Sequence, residues 1–168
     1  GVLSENAVTV AYSYIGPKLT YPIYYDGTIG QAKRHLTKTA EKINEKYSDV
    51  KAYISVNKAL VTQASAAIPI VPLYFAILYK VMKAQGTHEG CIEQISRLFH
   101  EKLFVEKPMT DEQGRIRMDD WELSDEVQDK VMECWKNVTT ENVTELSDID
   151  GYWQDFYQMF GFHLDGVD

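Results

Sequence analysis

This 168-residue chain lacks a glycine-rich dinucleotide motif, paired cysteines and a long apolar run. No G-x-G-x-x-G pattern occurs, so the chain carries no recognisable dinucleotide phosphate loop. The two cysteines, Cys91 and Cys134, form neither a disulfide framework nor a CxxC metal motif, which favours reduced thiols in a cytosol-like compartment. The longest apolar run, residues 68–79, contains Pro69 and Pro72 and is shorter than the ~20 residues that span a bilayer. We therefore expect a protein without a transmembrane segment.

The N-terminus also lacks features that begin many complete chains. The sequence starts at Gly1 without an initiator methionine, and no basic, apolar or Arg/Ser-rich leader precedes the first strand-like segment. We expect a piece of a longer protein that is missing an N-terminal portion.

Basic residues are scarce in the second half of the chain. Residues 86–168 hold 7 Lys/Arg against 20 Asp/Glu, a net charge of −13. Residues 1–85 hold 10 Lys/Arg against 5 Asp/Glu, a net charge of +5. The acidic half argues against a nucleic-acid surface, which requires a basic footprint. The basic half either faces an anionic small ligand or is, like the acidic half, an ordinary solvated surface.

The pattern of residues 7–56 predicts a strand, a helix and a second strand. Residues 7–15 are β-branched and aromatic and end at a Gly-Pro turn, and residues 51–56 form a second short strand-like segment. Residues 28–47 carry apolar side chains at steps of three and four, which predicts a helix capped by Thr28 or Asp26. This order is typical of a right-handed crossover unit in a parallel sheet, so we expect an α/β fold.

The remainder of the chain is predicted to be mostly helical. The predicted helices cover residues 67–84, 88–104 and 124–137, and a last one begins near Asp148 or Asp150. Residues 105–123, with Pro108 and Gly114, are predicted to form a polar excursion. We expect one domain, or the greater part of one, with a sheet part at about residues 1–85 and an acidic helical part at about residues 86–168.

The segment YPIYYDGTIGQAK, residues 21–33, places Tyr24 and Lys33 nine positions apart with a turn at Gly27 between them. Tyr24 precedes the predicted helix and Lys33 lies about one and a half turns into it, so the turn can fold the phenol back towards the ammonium. An ammonium close to a phenol favours the phenolate and lowers the phenol's pKa, which suits a proton donor to a developing enolate. With 11 tyrosines in the chain, a Y-x8-K spacing arises easily by chance, so the spacing alone favours two ordinary surface residues.

Motifs along the whole chain resemble one enzyme family. They are YSYIG at residues 12–16, the Y-x8-K segment at 24–33, SVNKALVTQAS at 55–65, IP…PLY at 68–74, GTHEGCIEQ at 86–94 and FGF…DGVD at 160–168. The family is that of the trans-2-enoyl-CoA and enoyl-acyl-carrier-protein reductases with a Y-x8-K active site, distant relatives of the short-chain dehydrogenases. The resemblance covers essentially the whole chain but only the family's C-terminal portion. It implies the C-terminal part of a Rossmann-like parallel-sheet domain with a largely helical tail.

The resemblance also assigns roles to individual residues of the basic half. It implies that Tyr24 is the proton donor, and that Lys33 holds the nicotinamide ribose and lowers the pKa of the phenol. Tyr14, the second tyrosine of YSYIG, matches a tyrosine that contacts the substrate. Tyr25 falls at a variable position of the motif and receives no role.

A cofactor loop is a further implication of the resemblance. Leu60, Val61 and Thr62 match the loop after a strand that contacts the carboxamide and phosphates of the cofactor. That cofactor is expected to be NADH, with NADPH as the other possibility, and no metal site is expected. The position of the loop is physically reasonable, because nucleotides bind at the carboxyl ends of parallel strands. The family's glycine-rich loop lies upstream of Gly1, so most of the dinucleotide site is expected to be absent here.

The predicted activity is the NADH-dependent reduction of trans-2-enoyl thioesters, carried by CoA or acyl carrier protein, to saturated acyl thioesters in fatty acid synthesis. The alternative is a non-catalytic fragment or subunit that acts as an interaction module with a partner chain. The expected partners are the thioester substrate and the N-terminal half of the same enzyme, without nucleic acid. A cytoplasmic location is expected, with a mitochondrial one as the alternative.

Overall fold

The computed structural model describes residues 3–164 and residue 166. Of the terminal FGF…DGVD motif, Asp165, Val167 and Asp168 lie outside the described residues. The strands are β1 (Ala7–Ser13), β2 (Val50–Val56) and β3 (Arg115–Arg117). The helices are α1 (Tyr21–Tyr24), α2 (Thr28–Lys46), α3 (Gln63–Ala66), α4 (Val71–Gln85), α5 (Cys91–Arg97), α6 (Asp125–Asn137), α7 (Val143–Leu146) and α8 (Ile149–Gln158). Within these residues, no helix is both long enough and apolar enough to cross a membrane.

Within the described residues, the strands form one parallel sheet in the order β1-β2-β3. β1 pairs with β2 in a register that begins with Ala7 opposite Val50, and β2 pairs with β3 from Ile54 opposite Arg115. Because α2 connects two neighbouring parallel strands, the α/β class and the strand-helix-strand unit expected from the sequence are confirmed. The carboxyl ends of β1 and β2 lie at the same edge of the sheet.

One compact unit consists of Gly1–Lys58 and Glu89–Asp120. α2 covers one face of β2, where the buried side chains are Ala40, Ala52, Ile54 and Val56. A second cluster, which includes the half-buried Val10 and Tyr53, is formed by Leu98, Leu103, Ile116 and Met118. Alternate residues of a strand point to opposite faces, so β2 is covered on both sides within this unit.

The other compact unit consists of Ala59–His88 and Trp121–Asp168. Its centre is α4, whose residues 74–79 are all buried and which packs against α6 and α8. α4 ends at Gly86, whose φ of 70° lies in the left-handed region that favours glycine. The two units cut across the sequence-based division near residue 85, because residues 89–120 belong with the sheet.

The structure corrects the predicted start of α2. The helix begins after Gly27, which has extended backbone and no side-chain cap, so neither Thr28 nor Asp26 caps it. Glycine is a tolerated residue at this position because its flexible backbone leaves the first amides accessible to other partners.

Three further local predictions are also corrected. The predicted helix at 67–84 is divided into α3 and α4, because Pro69 and the left-handed Ile70, with a φ of 67°, interrupt it. The predicted excursion at 105–123 contains the strand β3. The predicted helix at 88–104 begins at Cys91 as α5 and continues as a π-helical segment, Leu98–Leu103.

Candidate active site

The turn between α1 and α2 brings Tyr24 to the beginning of α2. α1 ends at Tyr24, and α2 begins after a short turn. Gly30, in the first turn of α2, makes this return tight, since a Cβ atom there would collide with the backbone carbonyl of Tyr25. Tyr24 therefore lies over the part of α2 that contains Lys33.

Lys33 lies close to two tyrosine rings. Its ammonium nitrogen is 4.6 Å from the ring centroid of Tyr24 and 5.6 Å from that of Tyr14, both within the range of a cation–π contact. The same nitrogen donates a hydrogen bond to the backbone carbonyl of Tyr14. The two rings pack edge to face with their centroids 4.9 Å apart. The structure thus brings together the three residues of this unit that the sequence singled out.

The ammonium of Lys33 is partly dehydrated. Burial lowers the pKa of Lys33 from 10.5 to about 8, because desolvation disfavours the charged form. The protonated form still predominates at neutral pH, but it is lost at a lower pH than in an exposed lysine. Tyr24 is itself buried, with 8% of its surface exposed. A charge beside a buried tyrosine ring acts through a lower dielectric than water, which strengthens its influence on the phenol.

The YSYIG motif places Tyr14 by means of its glycine. Gly16 is buried with a φ of 74°, a conformation that glycine adopts without strain. A Cβ atom on Gly16 would lie 2.5 Å from the hydroxyl oxygen of Tyr14 and would also collide with Thr20. The motif therefore requires glycine for space as well as for backbone conformation. The sequence signalled only the turn, through the Gly-Pro pair.

A cavity of about 90 Å³ lies beside Tyr24 and Lys33. Ser13 and Val56, the last residues of β1 and β2, contribute to its lining, so the cavity is at the carboxyl edge of the sheet. This edge is where open parallel sheets bind ligands. The volume is well below the roughly 300–1,000 Å³ of a site for a whole small molecule, so it suits only one group of a ligand.

Sequence reasoning missed two arginines in the lining of this cavity. Arg34 donates a hydrogen bond of 2.8 Å to the backbone carbonyl of Tyr25. Arg115 is paired with Asp111 at 2.8 Å. Arg34 was detectable as the direct neighbour of Lys33, whereas no local pattern places Arg115, which reaches the cavity only through the pairing of β3 with β2.

The predicted cofactor residues Leu60, Val61 and Thr62 form a loop in the other compact unit. Val61 is buried, Leu60 is half-buried and Thr62 is exposed. The Thr62 hydroxyl accepts a hydrogen bond of 3.1 Å from the Ser65 amide, and the Ser65 hydroxyl accepts one of 2.9 Å from the Thr62 amide. This reciprocal capping box fixes the start of α3, so Thr62 has a local structural role whatever else it contacts.

Known proteins resemble this chain over its whole length. Residues 1–104 match the family described as trans-2-enoyl-CoA reductase catalytic region, and residues 110–168 match the family described as enoyl reductase FAD binding domain. The enoyl-acyl-carrier-protein reductase (NADH) of Cytophaga hutchinsonii is 59% identical, over 100% of this chain and 43% of that protein. The trans-2-enoyl-CoA reductase of Euglena gracilis is 55% identical, over 100% of this chain and 31% of that protein. The crystal structure of the Treponema denticola trans-2-enoyl-CoA reductase in complex with NAD has a TM-score of 0.95 at 50% identity, and the match covers 100% of this chain and 43% of that one.

The chain spans less than half the length of each of these proteins. The names of the relatives therefore describe molecules that are longer than the chain. The TM-score of 0.95 shows that the same α/β architecture is present in the corresponding part of the solved structure.

The second matched region does not fit the flavin in its description. Residues 110–168 hold 4 Lys/Arg against 16 Asp/Glu, whereas a flavin dinucleotide brings a diphosphate that needs positive partners. Arg115 is occupied by Asp111 at 2.8 Å, and Arg117 is occupied by Asp119 at 2.7 Å. Both α6 and α8 carry acidic residues in their first turns, where an anion would otherwise bind. We derive no chemistry from a flavin.

Proposed function

Because the chain belongs to the trans-2-enoyl-CoA reductase family, we propose that it is the C-terminal catalytic portion of an enzyme that reduces trans-2-enoyl thioesters with NADH. In this proposal the active-site part lies at about residues 1–85 and the acidic helical part at about residues 86–168, a division by charge and role along the chain that differs from the two compact units. In this proposal the complete enzyme also contains a further portion, because the chain spans 43% of the Cytophaga hutchinsonii relative.

The observation that carries this proposal is the arrangement of Tyr24, Lys33 and Tyr14. A buried phenol lies beside an ammonium, 4.6 Å from its ring centroid, and a second tyrosine ring packs against the first. A single contact of this kind is common in proteins. Here it occurs at the Y-x8-K spacing and at the ligand-binding edge of a parallel sheet, which makes the arrangement specific.

Tyr24 acts as the proton donor in this proposal. Reduction of a double bond conjugated to a thioester places negative charge on the carbonyl oxygen, and a phenol at that oxygen stabilises the charge. Tyr14, whose ring packs against that of Tyr24, contacts the same carbonyl group. The proton finally resides on the α-carbon of the saturated thioester.

Lys33 and the loop of Leu60, Val61 and Thr62 hold the cofactor in this proposal. NADH, when bound, supplies the hydride that the β-carbon receives. Lys33 binds the nicotinamide ribose and keeps a positive charge beside Tyr24, and the loop contacts the carboxamide and the phosphates. An ammonium at the carboxyl edge of the sheet supports this assignment. NADPH is the alternative, because the acidic residue that selects between the two cofactors follows the glycine-rich loop, which this chain does not contain.

The finer classification is also part of the proposal. The parallel β1-α2-β2 unit supports a Rossmann-like domain related to the short-chain dehydrogenases. The names of the relatives support both CoA and acyl carrier protein as carriers of the substrate, and the latter supports a role in fatty acid synthesis.

A second function follows from the length of the chain. The chain spans 43% of the Cytophaga hutchinsonii relative, and the alternative is that it is a non-catalytic subunit that acts through a partner chain. An intact-mass measurement of the purified material, with a search for a co-purifying polypeptide, separates a subunit from a portion of one long chain.

The experiment that tests the proposed activity is Tyr24→Phe in the complete enzyme. Removal of the phenolic proton is expected to lower kcat by on the order of 10²–10⁴, the range for a lost general acid, while the affinity for NADH barely changes. NADH oxidation with crotonyl-CoA measures kcat, and quenching of protein fluorescence measures binding.

Tyr25→Phe is the matched control. Tyr25 is adjacent in sequence, stacks on Tyr21 at 4.7 Å and is 43% exposed, so its hydroxyl should be dispensable. A Tyr24→Phe enzyme with the kcat of the Tyr25→Phe enzyme would remove Tyr24 from the mechanism.

A further inference from the structure

A fully buried carboxyl group in the unit of Ala59–His88 and Trp121–Asp168 has no role in the reaction described above. Glu122 has 0% of its surface exposed. One of its oxygens accepts a hydrogen bond of 2.6 Å from the backbone amide of Ala59, and the other accepts one of 2.7 Å from the hydroxyl of Tyr74. A carboxyl group in such a place is costly to bury unless its acceptor positions are filled, so these two bonds fix its position.

Gln128 completes this arrangement from α6. Its side-chain amide donates 2.7 Å to the backbone carbonyl of Glu122 and 3.3 Å to the Tyr74 hydroxyl. Tyr74 of α4 thus bonds the carboxyl group, and Gln128 of α6 holds the backbone of Glu122 and the Tyr74 hydroxyl. The two helices pack against each other at the centre of the unit. The carboxyl group connects these helices to the loop Ala59–Thr62 through the amide of Ala59.

The same loop is held at one further point. At the end of the loop, Thr62 forms the capping box with Ser65. Ala59 is thus the entry point of a loop whose backbone is held by partners from its own unit.

We propose that Glu122 is a positioning residue for the cofactor-binding loop, because its buried carboxyl group holds the amide of Ala59 and thereby sets the backbone path of Leu60, Val61 and Thr62. The inference rests on the proposed function, which assigns that loop to NADH. Glu122 acts through the backbone and touches neither substrate nor cofactor.

The test compares Glu122→Met and Glu122→Asp in the complete enzyme. Methionine keeps the length of the side chain but accepts no strong hydrogen bond, and aspartate keeps the carboxyl group but is one methylene too short to reach both Ala59 and Tyr74. Loss of the hydrogen bond to the Ala59 amide is expected to raise the Kd and KM for NADH roughly tenfold with a much smaller change in kcat. Hydrogen–deuterium exchange without cofactor should show faster exchange in the peptide that contains Ala59–Thr62. If the methionine variant does not fold, the milder aspartate variant decides.

Tyr74→Phe is the matched control. It removes a hydrogen bond from the other oxygen of the same buried carboxyl group and leaves the bond to Ala59 in place. It should lower the melting temperature as a Glu122 variant does, while the Kd for NADH stays within about twofold of its original value.

The outcomes separate the two proposals. Equal increases in the Kd for NADH in the Glu122 and Tyr74 variants, or unchanged exchange in the loop, would overturn the positioning role and make Glu122 an ordinary member of the core. If the unsubstituted complete enzyme does not bind NADH, the proposed function fails, and so does the cofactor part of this inference. The exchange measurement then still decides whether Glu122 holds the loop.

Discussion

Gly16 and Gly30 leave space that other groups of the candidate active site occupy. Tyr14 folds back over Gly16, and the carbonyl of Tyr25 lies against Gly30. A methyl group at either position would move a tyrosine relative to Lys33. Since a displacement of about 1 Å between reacting groups can cost on the order of 10²-fold in rate, these glycines matter to chemistry in which they take no part.

The charge of Lys33 should be visible in the pH dependence of the complete enzyme. Burial lowers the pKa of Lys33 from 10.5 to about 8, so its ammonium is lost as the pH rises through that value. If the ammonium holds the ribose and assists Tyr24, kcat/KM for NADH should fall above pH 8 by about tenfold for each further pH unit. Steady-state rates at a series of pH values measure this.

Lys33→Arg is the control for this pH dependence. Arginine stays protonated throughout the range, so its lower activity should be flat between about pH 8 and 10. A decline in the arginine variant as steep as in the original enzyme would attribute the titration to another group.

Loss of stability does not explain the decline that we expect. Since the pKa of Lys33 in the folded state is about 8 and its ordinary value is 10.5, the unfolded chain binds more protons in the window between them. Stability from this group therefore increases as the pH rises through the window. Melting temperatures recorded in parallel with the rates check that the protein remains folded.

At the scale of elements, the sequence predicted those segments in which the hydrophobic pattern continues over the whole helix or strand. The bounds of α2, β2 and α6 fall within about two residues of their predicted positions. β3 was missed because it has three residues, two of them arginines, and no period to detect. α1 was missed because it is a single turn.

In the candidate site, too, the residues with a local sequence signal were predictable and the others were not. Tyr24 and Lys33 were predictable because their spacing along the chain and a family resemblance agreed. Arg115 and Glu122 were not, because the first depends on the pairing of strands and the second on the packing of helices far apart in sequence. Local pattern contains neither kind of information.

Ile70 allows a test of the break between α3 and α4. It has a φ of 67°, where a β-branched side chain is strained, and it is 43% exposed. Ile70→Gly should remove this strain, while the greater flexibility of glycine in the unfolded chain offsets part of the gain. The net expected result is a free energy of unfolding raised by about 1 kcal/mol or less. Thermal and urea unfolding of the complete enzyme measure the change.

Ile68→Gly is the comparison for Ile70→Gly. Ile68 is close by and half-buried and is not in the left-handed region, so glycine should destabilise the protein at that position. Destabilisation by both substitutions to a similar extent would mean that the backbone at Ile70 carries no strain.

At the scale of the whole molecule, the sheet is the feature that points beyond the chain. β1 has β2 on one side, and on its surface Val8 is 41% exposed and Tyr12 is 53% exposed. Strands of parallel sheets are normally covered on both faces, so these exposed side chains are unusual. Separately, the unpaired backbone groups at an edge strand invite pairing with another chain. The Cytophaga hutchinsonii relative is more than twice as long as the region that matches this chain.

We therefore expect residues 1–168 on their own to show no reduction of crotonyl-CoA and no tight binding of NADH. In the proposed function, Lys33 and the residues Leu60–Thr62 each supply only part of what a dinucleotide needs, and exposed apolar side chains on β1 favour aggregation. Addition of the part of the Cytophaga hutchinsonii relative that lies outside the matched region, as a separate polypeptide, should yield a compact complex with measurable NADH oxidation. The same portion mixed with a chain carrying Tyr24→Phe is the control, because it should give the complex without the activity. The measurements are NADH oxidation, size-exclusion chromatography and the thermal unfolding transition. A soluble monomer of residues 1–168 that unfolds cooperatively and reduces crotonyl-CoA unaided would show that this chain contains the entire cofactor site.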